Sequence, residues 1–133
     1  MSREILFRGK RVDNGSWETG SLVISRMGTS EAKTYIADKM TAYHTLVIPK
    51  TVGQYTGLKD KNGKKIFEGD ILSGHLDELF PEQESRYPVV WHDYGWHIKC
   101  GNESFDTLEQ WWVSEYLEVI GNIYDNPELA FFN

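Results

Sequence analysis

The chain has 133 residues, 40% of them hydrophobic and 14% aromatic, and a formal net charge of -6. That is the size of one ordinary domain, able to bury a core without metal or disulfide staples and too rich in large rings for a disordered segment. Cys100 has no partner for an internal disulfide, and no apolar run approaches the roughly 18 residues of a membrane helix. With no charged-then-apolar leader pattern at its start, the chain is expected in the cytoplasm.

The charge is unevenly placed. From Met1 to Ile66, Lys and Arg number 12 against 6 Asp and Glu, and from Phe67 to Asn133 they number 2 against 14. Internal pairing is the plain reading, because a small domain brings its halves together. A basic half that meets nucleic acid, and opposite faces of neighbouring copies that attract, are the alternatives.

Ile5 to Val12 and Trp17 to Ile24 flank Asp13-Asn14-Gly15-Ser16, and Asn14-Gly15 supplies the positive φ of a tight turn, so a first β-hairpin is predicted. The small, polar stretch from Ser25 to Asp38 predicts a loop or excursion before Tyr35-Ile36. Tyr43 to Ile48 predicts a strand halted by Pro49, which has no amide for a ladder. Asn62-Gly63 predicts a second turn, and Ile71-Leu72 opens the next strand. Asp77 to Glu84, interrupted by Pro81, reads as an exposed acidic loop.

Val89 to His92 and Trp96 to Lys99, around Asp93-Tyr94-Gly95, predict a third hairpin. In Asp106-Thr107-Leu108-Glu109 a short acceptor stands three residues before a Glu, which predicts a helix start and a short helix into Trp112. Tyr116 to Ile120 returns to strand, and Asn126-Pro127 predicts a capped final helical turn. Many short strands joined by turn chemistry predict a mainly β fold, a small barrel or a sandwich.

Three stretches carry a family resemblance. They are the opening Arg3 to Arg8; the centre Gly53-Gln54-Tyr55-Thr56-Gly57-Leu58, Asp60-Lys61-Asn62-Gly63 and Phe67-Glu68-Gly69-Asp70-Ile71; and the closing Glu118 to Leu129. In order and content they resemble the YopX family, found mainly in bacteriophages and prophages. The resemblance implies a mainly β fold with a small SH3-like barrel, encoded by a phage in a bacterial host. It implies neither an activity nor catalytic residues. Ser25 to Tyr43 and Ser73 to Tyr87 match no part of the pattern.

The expected layout is one domain over 1-133, with an N-terminal β lobe over 1-50, the small barrel over 51-125 and a C-terminal turn over 126-133. One or two short helical turns complete it.

Candidate chemistry is sparse. His92, Asp93 and His97 are metal-ligand types within one hairpin, and His44 or His75 could complete a set. Successive strand residues point to opposite faces, however, so His92 and Asp93 share a face only if Asp93 lies in the turn. Cys100 beside Lys99 has no paired base, and reads as an inert thiol. Glu68 and Asp70 flank Gly69. The simpler account is turn chemistry, in which Gly69 allows a bend, Asp70 accepts local amides and Glu68 faces solvent. No phosphate loop is present.

Surface candidates are better supplied. Lys59, Lys61, Lys64 and Lys65 cluster at the Asn62-Gly63 turn. Arg3, Arg8, Lys10 and Arg11 lie near the first strand, with Trp17 or Tyr55 as a ring for stacking. Trp111 and Trp112 are adjacent and cannot share a face, so one of them is expected at the surface or in a contact. The reading is a non-catalytic binding module that contacts a protein partner or itself, without cofactor or metal. A nucleic-acid module using the basic half is the second reading, and a small metal-dependent enzyme the third.

Overall fold

In the computed structural model, which describes residues 4–26, 28, 30–74, 85–99 and 105–130, the chain forms two compact units, Met1–Tyr55 and Thr56–Asn133. In the first unit β1 (Phe7–Lys10) and β2 (Trp17–Ser25) pair antiparallel, with Lys10 opposite Trp17. Their turn is wider than the Asn-Gly pair suggests. The Arg11 amide donates to Ser16 O at 2.8 Å and closes a loop over residues 12–15 in which only Gly15 takes a positive φ, +72°. Asn14 serves instead as an acceptor for the Ser16 amide at 2.9 Å.

The loop expected from Ser25 to Asp38 is much shorter than that. β3 (Lys33–Ala37) returns directly along β2, with Ser25 opposite Lys33 and Leu22 opposite Ile36. Polar composition misleads here, because Thr34-Tyr35-Ile36 are branched and aromatic residues that need only a partner strand, and Leu22-Val23-Ile24 is one. β4 (His44–Leu46) adds an edge, and Pro49 ends it by opening a 3-10 turn, Pro49–Thr51. The order in this unit is β4-β3-β2-β1-β5, where β5 (Gly53–Lys59) sets Gly53 opposite Arg8. Ile36 and Val47 are buried beneath the sheet, and a Cβ on Gly9 would lie 2.9 Å from Val47, so β1 approaches that core only as glycine.

In the second unit the end of β5 turns through Asp60–Lys64 into β6 (Lys65–Phe67). Then follow β7 (Asp70–Gly74), β8 (Ser85–His92), β9 (Gly95–Lys99), β10 (Phe105–Thr107), α1 (Gln110–Tyr116), β11 (Leu117–Asn122) and a 3-10 turn, Pro127–Ala130. An antiparallel sheet runs β10-β9-β8-β7-β11. Strand β7, an interior strand between β8 and β11, is buried along its whole length. Ile66, Leu72, Val89, Ile98, Leu108, Val113 and Leu117 form one buried cluster, which holds α1 through Val113 although a helix of this length is marginal alone.

The third hairpin is present and tight: His92 pairs with Gly95, and the two residues between them, Asp93 and Tyr94, both adopt positive φ, +47° and +66°. The helix start differs from expectation. Asp106 and Thr107 belong to β10, and the residue before the helix, Glu109, makes no side-chain cap. Strand pairing of residues 105–107 with β9 takes the segment that the capping pattern assigned to the helix. The fold is mainly β, and among the described residues both sheets are open.

Candidate functional site

The basic turn is built around Asp60, a carboxylate only 3% exposed. Its Oδ1 accepts the amides of Asn62 and Lys64, both at 2.9 Å, and its Oδ2 accepts the Val119 amide at 2.8 Å. The Asp60 amide donates to Lys64 O at 2.9 Å, and the Lys61 amide to Leu117 O at 2.9 Å. Gly63, at φ +79°, completes the bend. Charge-assisted bonds from backbone amides to the buried carboxylate fix this turn against β11, whereas Lys61 and Lys64 are exposed.

A second clamp joins the strand before the turn to the helix. The Gln110 side chain accepts the Lys59 amide at 3.2 Å and donates to Lys59 O at 3.0 Å. Trp111, the next residue, is 68% exposed, and its indole N–H donates to Glu109 Oε2 at 2.7 Å. Asn62 Nδ2 reaches Glu118 Oε2 at 3.2 Å. Lys59, Lys61, Lys64 and Trp111 therefore lie along one edge, at the β5–β6 turn and the starts of α1 and β11. Lys65, half-buried, begins β6. Trp112 falls in α1, and its side chain lies outside the described residues, as do His75, Cys100, Arg3 and the segment 77–84.

The signature bend is a piece of architecture. Gly69 has φ +91°, Asp70 Oδ2 accepts the Phe67 amide at 2.8 Å in the interior, and the Gly69 amide donates to Val89 O at 3.0 Å. Glu68 is half-buried, a departure from the solvent-facing position expected of it.

At the third hairpin Asp93 does lie in the turn. Its Oδ2 is 3.2 Å from His92 Nε2, and the His92 and His97 rings meet edge to face at 5.5 Å. Among the described residues no three His, Cys, Asp or Glu side chains form a group able to hold a metal. The tip presents rings instead: Tyr94 is 96% exposed, and Trp91, 54% exposed, packs edge to face on Trp96 at 4.9 Å. Sequence reasoning singled out none of these three as surface residues. The I′-type geometry that forces Tyr94 outward was the available signal.

The first unit holds a different surface. Arg8 and Lys10 lie on one face of β1 with Trp17 across from them; the Arg8 guanidinium carbon sits 4.6 Å and the Lys10 ammonium 5.9 Å from the Trp17 ring centroid. Tyr55, the other ring considered for stacking, is only 6% exposed and belongs to the interior. Arg11 is engaged with neighbours: it makes a two-pronged pair with Asp13 at 2.9 and 2.8 Å and reaches Glu18 at 3.1 Å. The hydrogen bond to Asp13, against a smaller opposing cost of burial, raises the guanidinium further above its ordinary value, and the same bond holds the Asp13 carboxyl below its own. Beside this pair is a shallow hollow of about 190 Å³ lined by residues 11–13 and 43–46, smaller than ordinary ligand pockets.

These features define a mainly β protein of two compact units. The chain belongs to the YopX protein family, whose model matches residues 6–130. It is similar in fold to the crystal structure of protein EF1440 from Enterococcus faecalis, with a TM-score of 0.64 and 22% identity over 98% of this chain and 100% of that one. No curated protein matches the chain. No helix among the described residues is long and apolar enough to cross a membrane.

Proposed function

We propose that the protein is a non-catalytic binding module that presents the edge formed by the β5–β6 turn and the start of α1 to a protein partner or a second copy of itself. The observation that carries this is Trp111: a large ring, 68% exposed, beside a strand clamped by Gln110 and a turn clamped by Asp60. A ring displayed on a rigid support loses little freedom on binding, and tryptophan is enriched among the residues that dominate interface energies. Flanking Lys61 and Lys64 favour an acidic rim on the partner.

Family membership supports the wider reading of a phage- or prophage-encoded accessory protein acting in the cytoplasm of a bacterial host. The SH3-like barrel that the resemblance implies for residues 51–125 belongs to the same proposal. The test compares the wild type with Trp111→Ala and Lys61→Glu/Lys64→Glu, using quantitative affinity capture from host lysate and sedimentation of the purified protein. A defined partner, or a dimer, that is lost in the variants is expected. Identical captured sets, together with a monomer at all concentrations, would overturn the reading.

A further inference from the structure

Register sorts the residues of the first unit's sheet into two faces. Lys10 is opposite Trp17, Arg8 opposite Thr19, Ser25 opposite Lys33, Val23 opposite Tyr35, and Ala37 opposite His44, so all of these lie on one face. The ring contacts agree, with Arg8 and Lys10 on Trp17 and Tyr35 edge to face with His44 at 6.1 Å. The opposite face carries the close-packed Gly9, Gly20 and Ile36, all buried. On the first face Thr19, Ser21, Lys33, His44 and Leu46, opposite Tyr35, are exposed, Trp17 and Tyr35 are half-exposed, and Ala37 is buried.

No strand residue of β1 to β4 on this face is Asp or Glu, in a protein with 20 acidic residues. The surface therefore combines three unlike features: cations, two rings about 20 Å apart along β2, and small hydroxyl residues between them. We infer that this face, through Arg8, Lys10, Trp17, Lys33, Tyr35 and His44, is a binding platform for single-stranded nucleic acid.

The chemistry fits that polymer in particular. Bases of a single strand stack on aromatic rings or on guanidinium planes, and its phosphates release counterions to Lys and Arg. A duplex hides its base faces and offers phosphates and groove edges, with no face to stack on a ring. An acidic protein partner is the competing occupant; it would match the cations and offers no repeated base faces to stack on Trp17 and Tyr35. The first unit, Met1–Tyr55, carries 8 Lys and Arg against 5 Asp and Glu, so its field favours a polyanion despite the net charge of the whole chain. This reading shares no residue with that of the Trp111 edge, and the two can fail independently.

The test is fluorescence anisotropy of the full chain with labelled oligo-dT and oligo-U of about 15 nucleotides, and with a duplex of the same length, between about 50 and 200 mM salt. Micromolar binding to single strands, weaker for duplex, is expected. Lys10→Gln/Lys33→Gln should lower the log–log salt slope by about 1.4, and Lys61→Gln/Lys64→Gln should leave it unchanged. Trp17→Leu should weaken binding roughly tenfold with both DNA and RNA. Circular dichroism checks its fold, and the lysine pairs decide the matter if that variant does not fold. Absence of binding at low salt, equal affinity for duplex, or an equal loss from the Lys61/Lys64 pair would overturn the inference.

Discussion

Asp60 and Val119 meet across 59 residues of sequence: a carboxylate oxygen of the first accepts the backbone amide of the second at 2.8 Å. The other oxygen of Asp60 holds the amides of its own turn, so one side chain organises a β-turn and anchors it to a distant strand. This has a measurable consequence. Asp60→Asn replaces one acceptor oxygen by an NH2 donor that must face a backbone N–H. Bonds to charged groups contribute about 1.5–3 kcal/mol each, and a buried unpaired donor costs more. The variant should lose about 3 kcal/mol in urea unfolding. A loss below about 1 kcal/mol would show that the anchor is dispensable.

Gly63 and Gly20 differ in kind. A Cβ on Gly63 meets nothing within 4 Å, so Gly63→Ala costs only its positive φ, about 1 kcal/mol. A Cβ on Gly20 would run into the carbonyl oxygen of Ala37 on the neighbouring strand. Gly20→Ala should therefore destabilise more than Gly63→Ala in paired thermal melts, and the reverse order would contradict the register of β2 and β3.

The third hairpin places Asp93 and Tyr94 in the left-handed region, where side chains are strained. Tyr94→Gly should stabilise the protein by about 1 kcal/mol. The ring is 96% exposed, so little packing is lost to offset this. Denaturant midpoints check it, and destabilisation would mean that the ring is held by contacts of its own.

Neighbouring positions of α1 should separate contact from core. Trp111→Ala should change stability by no more than about 0.5 kcal/mol, while Val113→Ala, at a fully buried site, should cost about 2 kcal/mol. Loss of partner capture in the first variant alone would support the proposed edge.

In the first unit Asp38 Oδ1 accepts the amides of Thr41 at 2.9 Å and Met40 at 2.8 Å. These bonds, led by that of Thr41, lower its pKa from the ordinary 3.8. A depressed folded-state pKa stabilises the fold above the unfolded value, and this contribution fades as pH falls through the folded one. Wild type should therefore exceed Asp38→Asn in stability at pH 5–7, with the gap closing below about pH 3.8. Melts from pH 2.5 to 7 test the sign. A gap that widens in acid would contradict it.

Much of the secondary structure was legible because turns are local. Asn14-Gly15, Asn62-Gly63 and the Asp93-Tyr94-Gly95 segment each mark a bend through the φ values or side-chain acceptors of the residues themselves, and Pro49 ends its strand for want of an amide. The helix near Trp111 was legible in existence but not in its start, since the capping pattern at Asp106 lost to a strand partner in β9.

What the order of residues determined alone was where the chain bends, which segments flanking the hairpin turns are extended, and the family to which it belongs. Partnership was decided only by tertiary structure: that β3 pairs with β2 instead of looping away, that Tyr55 is buried and Trp111 is not, and that Arg8, Lys10, Trp17 and Tyr35 share a face. The reason is physical. Turn chemistry acts within four residues, whereas burial and cross-strand pairing depend on what a distant segment supplies, as Val119 supplies the amide that Asp60 holds.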